Sequence, residues 1–160
     1  MKHPFPFADI ADILLGTPNA YAALEGSDAH PNLRGVIGFY ATDKGTLCAA
    51  KFSGLPQGSL CKKGIFALHI HQGEACTGEA FADAGAHFDP NTCPHPYHAG
   101  DLPPVFESHA GGLMICLSDR FTPTQIIGRT VILHDGPDDF TTQPSGAAGE
   151  KIACGIIHPY

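Results

Sequence analysis

Eight short runs rich in apolar residues, near 20–26, 34–40, 46–53, 65–71, 104–108, 111–117, 128–134 and 151–157, punctuate this chain and are separated by glycine, proline and polar residues. Runs of this length with period-two alternation are strands, and eight of them in one chain predict an all-β sandwich or barrel. The 19 glycines and 14 prolines among 160 residues leave few stretches in which a helix could extend. The length fits one domain with a core large enough to stand without disulfides. No internal repeat, low-complexity tract or interdomain linker interrupts it.

One of these runs carries chemistry. In Ile65-Phe66-Ala67-Leu68-His69-Ile70-His71 the even positions Phe66, Leu68 and Ile70 form a core face. Both imidazoles then leave the opposite face, about 7 Å apart at the backbone, a span that two side chains can close around one ion. Alone, a His-x-His pair reads equally well as two exposed strand residues.

Two further segments add donors. From Ala84 to Asp101 three histidines, His87, His95 and His98, and the aspartate Asp101 sit among prolines and glycines that forbid helix and regular strand. A rigid loop of this kind can present ligands at small entropic cost. The run Gly128 to Leu133 is a β-branched strand that reaches His134 and then an acidic turn containing Asp138 and Asp139.

In this combination the chain resembles the copper/zinc superoxide dismutases, over roughly residues 20 to 160. The resemblance implies an eight-stranded Greek-key β-barrel with two long functional loops. It makes His69, His71, His87 and His134 the copper ligands, with His87 bridging to zinc, and completes the zinc site with His95, His98 and Asp101. A mostly imidazole set suits copper(II), and three nitrogens with a carboxylate suit four-coordinate zinc. Asp138, four residues after His134, falls where the family has an aspartate that orients one copper histidine and one zinc histidine. Cys76 and Cys154 fall at the family's intrasubunit disulfide, worth about 4 to 5 kcal/mol in the chain-entropy model.

The implied activity is disproportionation of superoxide to dioxygen and hydrogen peroxide through copper(II)/copper(I), with structural zinc. His87 would release and recover a proton during the cycle, and Lys151 would attract the anion. Lys151 stands where the family carries an arginine, keeping the charge and losing the guanidinium fork. The zinc loop is short, with His95 and His98 three apart, the Cys76–His87 stretch is long, and the Phe140–Glu150 loop is short and bacterial in character.

Of the other cysteines, Cys48 is in phase with Phe52 and reads as a small buried apolar residue. Cys93, beside His95, offers a thiolate as an alternative zinc ligand, while Cys61 and Cys116 have no role implied by the resemblance. His3, His30, His109 and His158 read as surface residues, His109 in a hairpin turn, and Lys62 and Lys63 as solvated loop charges.

A formal net charge of −7 with no basic run argues against nucleic acid, and no membrane partner is expected. The family often pairs as homodimers, on surfaces this sequence does not mark. Residues 1–19 form an extension in which Ile10, Ile13 and Leu14 could make one or two helical turns ended by Gly16. Asp9 and Asp12 interrupt any secretory pattern there, so the expected compartment is the cytoplasm, or the periplasm or exterior if a leader was removed.

Two other readings remain open. A cupin-like metalloenzyme shares the His-x-His, but its spacing fails at Glu74 and leaves His87, His98, Asp101 and Asp138 without roles. A protein of the dismutase fold that binds copper and zinc with little or no turnover is motivated by Lys151 and the altered zinc loop.

Overall fold

In the computed structural model, which describes residues 8–59 and 64–160, eight antiparallel strands close on themselves in the order β1-β2-β3-β6-β5-β4-β7-β8. They are β1 (Ala20–Gly26), β2 (Arg34–Thr42), β3 (Gly45–Ser53), β4 (Ile65–His71), β5 (Asp101–Ser108), β6 (Gly111–Ser118), β7 (Thr130–His134) and β8 (Lys151–Pro159). The chain crosses the barrel from β3 to β4 and from β6 to β7, the two non-adjacent connections of a Greek key. Closure leaves no free sheet edge.

Alternation fills the barrel. Leu24, Ile37, Phe39, Phe52, Leu68, Ile70, Ile152 and Ile157 are all at most 1 % exposed inside it, each such side chain contributing about 1.5–3 kcal/mol of apolar burial. Cys48 is fully buried among them, as its phase with Phe52 predicts. His109 and Ala110 make the two-residue turn between β5 and β6, whose last pair is Ser108 with Gly111. The connection from β3 to β4 is pinned by Glu107, whose Oε2 accepts the backbone N–H groups of Gly58 and Gly64. Cys61, Lys62 and Lys63 lie outside the described residues.

Two strands depart from the sequence expectation. The odd face of β4 is as buried as the even one, with His69 and His71 at 0 % and 2 % exposure, because the segment after β4 folds back over it through a bridge from His71 to His87. Strand β5 starts at Asp101, three residues early, despite Pro103 and Pro104. Its pairing with β4 shifts register between Phe66 and Leu68, and it meets β6 only from Phe106 onward, so neither proline is asked for a ladder hydrogen bond.

Outside the barrel, α1 (Ala8–Leu15) contains Ile10, Ile13 and Leu14, and Gly16 N–H closes its end on Ile13 O. A one-turn helix, α2 (Pro123–Ile126), is started by Thr122 and Gln125 in a capping box. No described helix is long and apolar enough to cross a membrane.

Candidate metal centre

Neighbouring strands supply the first group of candidate ligands. β4 pairs with β7, which sets His69 and His71 beside His134, and the bridge to His71 adds His87. Between Leu133 and His134 the β7–β8 register shifts; such an irregularity re-aims a side chain at a strand end. One ring nitrogen from each of His69, His71, His87 and His134 lies within 4.8 Å of the others.

What each imidazole does with its other nitrogen decides the chemistry. His69 Nε2–H donates to Asp138 Oδ2 at 2.8 Å, His71 Nδ1–H to Gly85 O at 2.8 Å, and His134 Nδ1–H to Gly149 O at 3.3 Å. In the neutral ring the remaining nitrogen is then an unprotonated acceptor. Those nitrogens, His69 Nδ1, His71 Nε2 and His134 Nε2, together with His87 Nε2, are buried without any hydrogen-bond partner. Four orphaned lone pairs in one spot would be costly in a protein built to leave them empty, and they suit a nitrogen-seeking ion such as copper(II).

His87 also belongs to a second group with His95, His98 and Asp101. Its Nδ1 lies 2.7 Å from Asp101 Oδ1 and 3.4 Å from His98 Nδ1. His95 Nδ1 and His98 Nδ1 stand 3.1 and 3.2 Å from Asp101 Oδ2. A tetrahedral ion with bonds of about 2.0–2.1 Å separates its ligands by about 3.3 Å, so three nitrogens and a carboxylate at these spacings fit zinc. Cys93 stands outside both groups; its backbone N–H donates to Asp89 Oδ2.

Asp138 joins the two groups. Besides His69 it accepts His95 Nε2–H at 2.9 Å on Oδ1, and the Phe140 N–H at 2.7 Å. Burial pushes its carboxyl up, but these hydrogen bonds outweigh that and hold it below the usual carboxylate range. Burial likewise raises Asp101, and the hydrogen bond from His87 with the surrounding histidines turns the balance downward. The pKa of His71 is lowered to about 2 and that of His134 to about 3, by burial first, and His69 is lowered by burial as well. All three are therefore neutral donors at pH 7.

The first group opens on a cavity of about 470 Å³ that includes Gln72, Thr92, Ser145 and Lys151 in its lining. Lys151 is the only lysine or arginine among those described lining residues. Its half-buried ammonium donates to Phe81 O at 3.1 Å and Gly85 O at 3.3 Å, and burial lowers its pKa. Phe81 and its neighbour Ala80 have φ of 55° and 50°, strained left-handed backbone that helps aim a carbonyl at the lysine. The stretch carrying Gly85 is tethered by a disulfide between Cys76 and Cys154, Cα atoms 5.7 Å apart, packed with Phe81, Ala84 and Ile132.

The structure thus brings together the seven donors that the resemblance implies, with Asp138 and Lys151 beside them, and leaves Cys93 outside. His30, His109 and His158 lie away from both groups; His30 Nδ1 meets Ser27 Oγ. Sequence reasoning missed the supports. Gln143 grips the His95 backbone reciprocally, Oε1 accepting its N–H at 3.0 Å and Nε2 donating to its carbonyl at 2.7 Å. Arg120 donates to Pro96 O and His98 O, and Arg129 donates to Gln72 O and stacks over Phe88. Each reaches across at least 22 residues of sequence, and no local spacing marks such a partner.

The chain is similar to known proteins over most of its length. The family described as copper/zinc superoxide dismutase matches residues 33–157. A copper/zinc superoxide dismutase of Aquifex aeolicus is 30% identical over 131 residues, covering 72% of this chain and 74% of that protein. One from Deinococcus radiodurans is 31% identical, covering 89% and 86%. Among solved structures, a double mutant of a SOD-like protein from Bacillus subtilis superposes with a TM-score of 0.70 at 26% identity, covering 85% of this chain and 95% of that one. With the matched segment running from before β2 into β8, and so across every histidine and carboxylate of the two groups, the chain belongs to the copper/zinc superoxide dismutase family.

Proposed function

We propose that the protein is a superoxide dismutase with copper held by His69, His71, His87 and His134, and zinc by His87, His95, His98 and Asp101. The observation that carries this reading is the convergence of four buried, unpartnered ring nitrogens at a cavity whose one lysine is Lys151. Copper bound there would supply one-electron redox chemistry by alternating between its +2 and +1 states.

The chain's own residues do the rest. Lys151 gives a locally positive end to an otherwise acidic molecule and draws a small anion into the cavity. Two carbonyls, of Phe81 and Gly85, hold its ammonium in place, so the anion meets an oriented charge. His87, with one nitrogen in each group, is the residue that can accept a proton at Nε2 and return it while Nδ1 stays engaged. Asp138 and the Gly85 and Gly149 carbonyls fix the tautomers of His69, His71 and His134, so none of these rings needs to reorganise between half-reactions. Net, two superoxide anions and two protons give dioxygen and hydrogen peroxide.

The test is superoxide dismutation by the purified protein after copper and zinc reconstitution, with metal content measured on the same sample and His134→Ala as control. Copper-dependent activity that declines with added salt and is lost in the variant is the expected result. Full occupancy of both metals with no activity above that of free copper would leave a metal-binding protein without turnover, a reading motivated by the lysine at position 151.

A further inference from the structure

On the wall of the barrel away from the disulfide, Cys48 of β3 and Cys116 of β6 are direct cross-strand partners. Both are free thiols. Partners in an antiparallel pair have Cα atoms about 4.5–5.5 Å apart and side chains on the same face, inside the 4.4–6.8 Å range that a disulfide spans. Here both side chains face the barrel interior, Cys48 within the core cluster and Cys116 packed against it.

Their surroundings differ. Cys48 is fully buried in the core, with its Sγ 3.8 Å from Thr46 O. Cys116 is only partly buried and lines a separate surface cavity of about 460 Å³, walled by Pro96, Leu102, Pro104, Ser118 and Arg120. One thiol is therefore reachable from solvent and the other waits directly behind it. The neighbouring Cys48 thiol lowers the pKa of Cys116, while Cys116 and burial raise that of Cys48, which favours the outer sulfur as the nucleophile.

We propose that Cys116 and Cys48 form a hydroperoxide-reactive dithiol, Cys116 as the attacked-first sulfur and Cys48 as the resolving one. The Cys116 thiolate attacks the terminal oxygen of a hydroperoxide, an S–O bond forms, the O–O bond breaks, and the alkoxide or hydroxide leaves with the proton that Cys116 gave up. The Cys48 sulfur then attacks the sulfenic sulfur, the S–O bond breaks, and the hydroxyl departs as water with the Cys48 proton. Two thiols and one hydroperoxide become one disulfide, one water and one alcohol, or a second water from hydrogen peroxide. A small dithiol restores the pair by exchange. The oxidant is of the class that the histidine site is proposed to release, but this reaction does not depend on that site working.

The experiment adds hydrogen peroxide directly to the purified protein, once loaded with copper and zinc and once with zinc alone. Remaining thiols are then alkylated and the peptides mapped by mass. The expected result in both samples is a Cys48–Cys116 disulfide beside an unchanged Cys76–Cys154, reversed by dithiothreitol. Cys48→Ser should leave a sulfenic acid on Cys116 that dimedone traps, and Cys116→Ser should leave Cys48 unmodified. Cys48 and Cys116 both still alkylated after peroxide, or oxidation confined to Cys93, would overturn the proposal, as would a bridge that forms only with copper present. The map of the unmutated protein decides even if a variant fails to fold.

Discussion

A β-carbon on Gly146 would stand 2.0 Å from Asp138 Oδ1 and 2.7 Å from His95 Nε2. Gly146 also has φ of +72°, so the position resists a side chain both by space and by backbone conformation. The carboxylate that joins the two histidine groups is thus held from behind by bare backbone. Gly146→Ala should push Asp138 off its hydrogen bonds and lower zinc affinity about 10–100-fold. Competition with a chromophoric chelator reads this, and an unchanged affinity would show that the placement of Asp138 does not govern the site.

Lys151→Met keeps the length of the side chain and removes its charge. Dismutation should fall about tenfold or more, its decline with salt should flatten, and the content of copper and zinc should stay the same. Lys151→Arg should retain the salt dependence. If the methionine variant keeps both rate and salt slope, the lysine is no guide for the substrate.

Acid should destabilise the metal-free barrel well above the carboxylate range. His71 and His134 have folded-state values of about 2 and 3, below the ordinary 6.5. Below pH 6.5 the unfolded chain therefore binds protons that the folded chain refuses, so stability falls as pH falls, until the folded values are reached. Each histidine should cost about 2 kcal/mol between pH 7 and pH 5. Urea titrations of the metal-free protein at several pH values test this, and a flat stability over that interval would contradict the burial of these rings as neutral species.

Cys76 and Cys154 are 78 residues apart in sequence. Replacing both with serine should lower stability by about 4 to 5 kcal/mol, as expected for a loop of this length. A urea midpoint that hardly moves would mean that the unfolded chain gains little freedom when the bridge is lost.

The histidine clusters were legible because strand geometry and donor spacing are both local, and the family resemblance then divided the donors between two metals. His69 and His71 sit two apart on one strand, His95 and His98 lie within six residues of Asp101, and the remaining donors gain meaning from this company. The apolar runs marked where the eight strands lie along the chain but not how the barrel is covered. Nothing in Phe66-Ala67-Leu68-His69 tells that the histidine face is sealed too, since that depends on a later segment folding back. Gln143 and Arg120 were hidden for the same reason: what they bind is backbone of the zinc loop, and backbone carries no signature in sequence. The strand expected near 104–108 begins at Asp101, and the register shift opposite Pro103 and Pro104 accommodates the earlier start.

The carbonyl of Gly85 receives hydrogen bonds from both His71 and Lys151. A single peptide plane therefore serves as the common reference for a ligand's ring and for the cation at the cavity. Lys151 lies three residues before Cys154, whose bridge to Cys76 leads back to the stretch that carries Gly85. Backbone, disulfide and hydrogen bond close a small mechanical circuit, in which a displacement of the turn would move ligand and cation in concert. Reductive opening of the disulfide would then act as a detuning of the whole centre, altering the pose of His71 and the aim of Lys151 together.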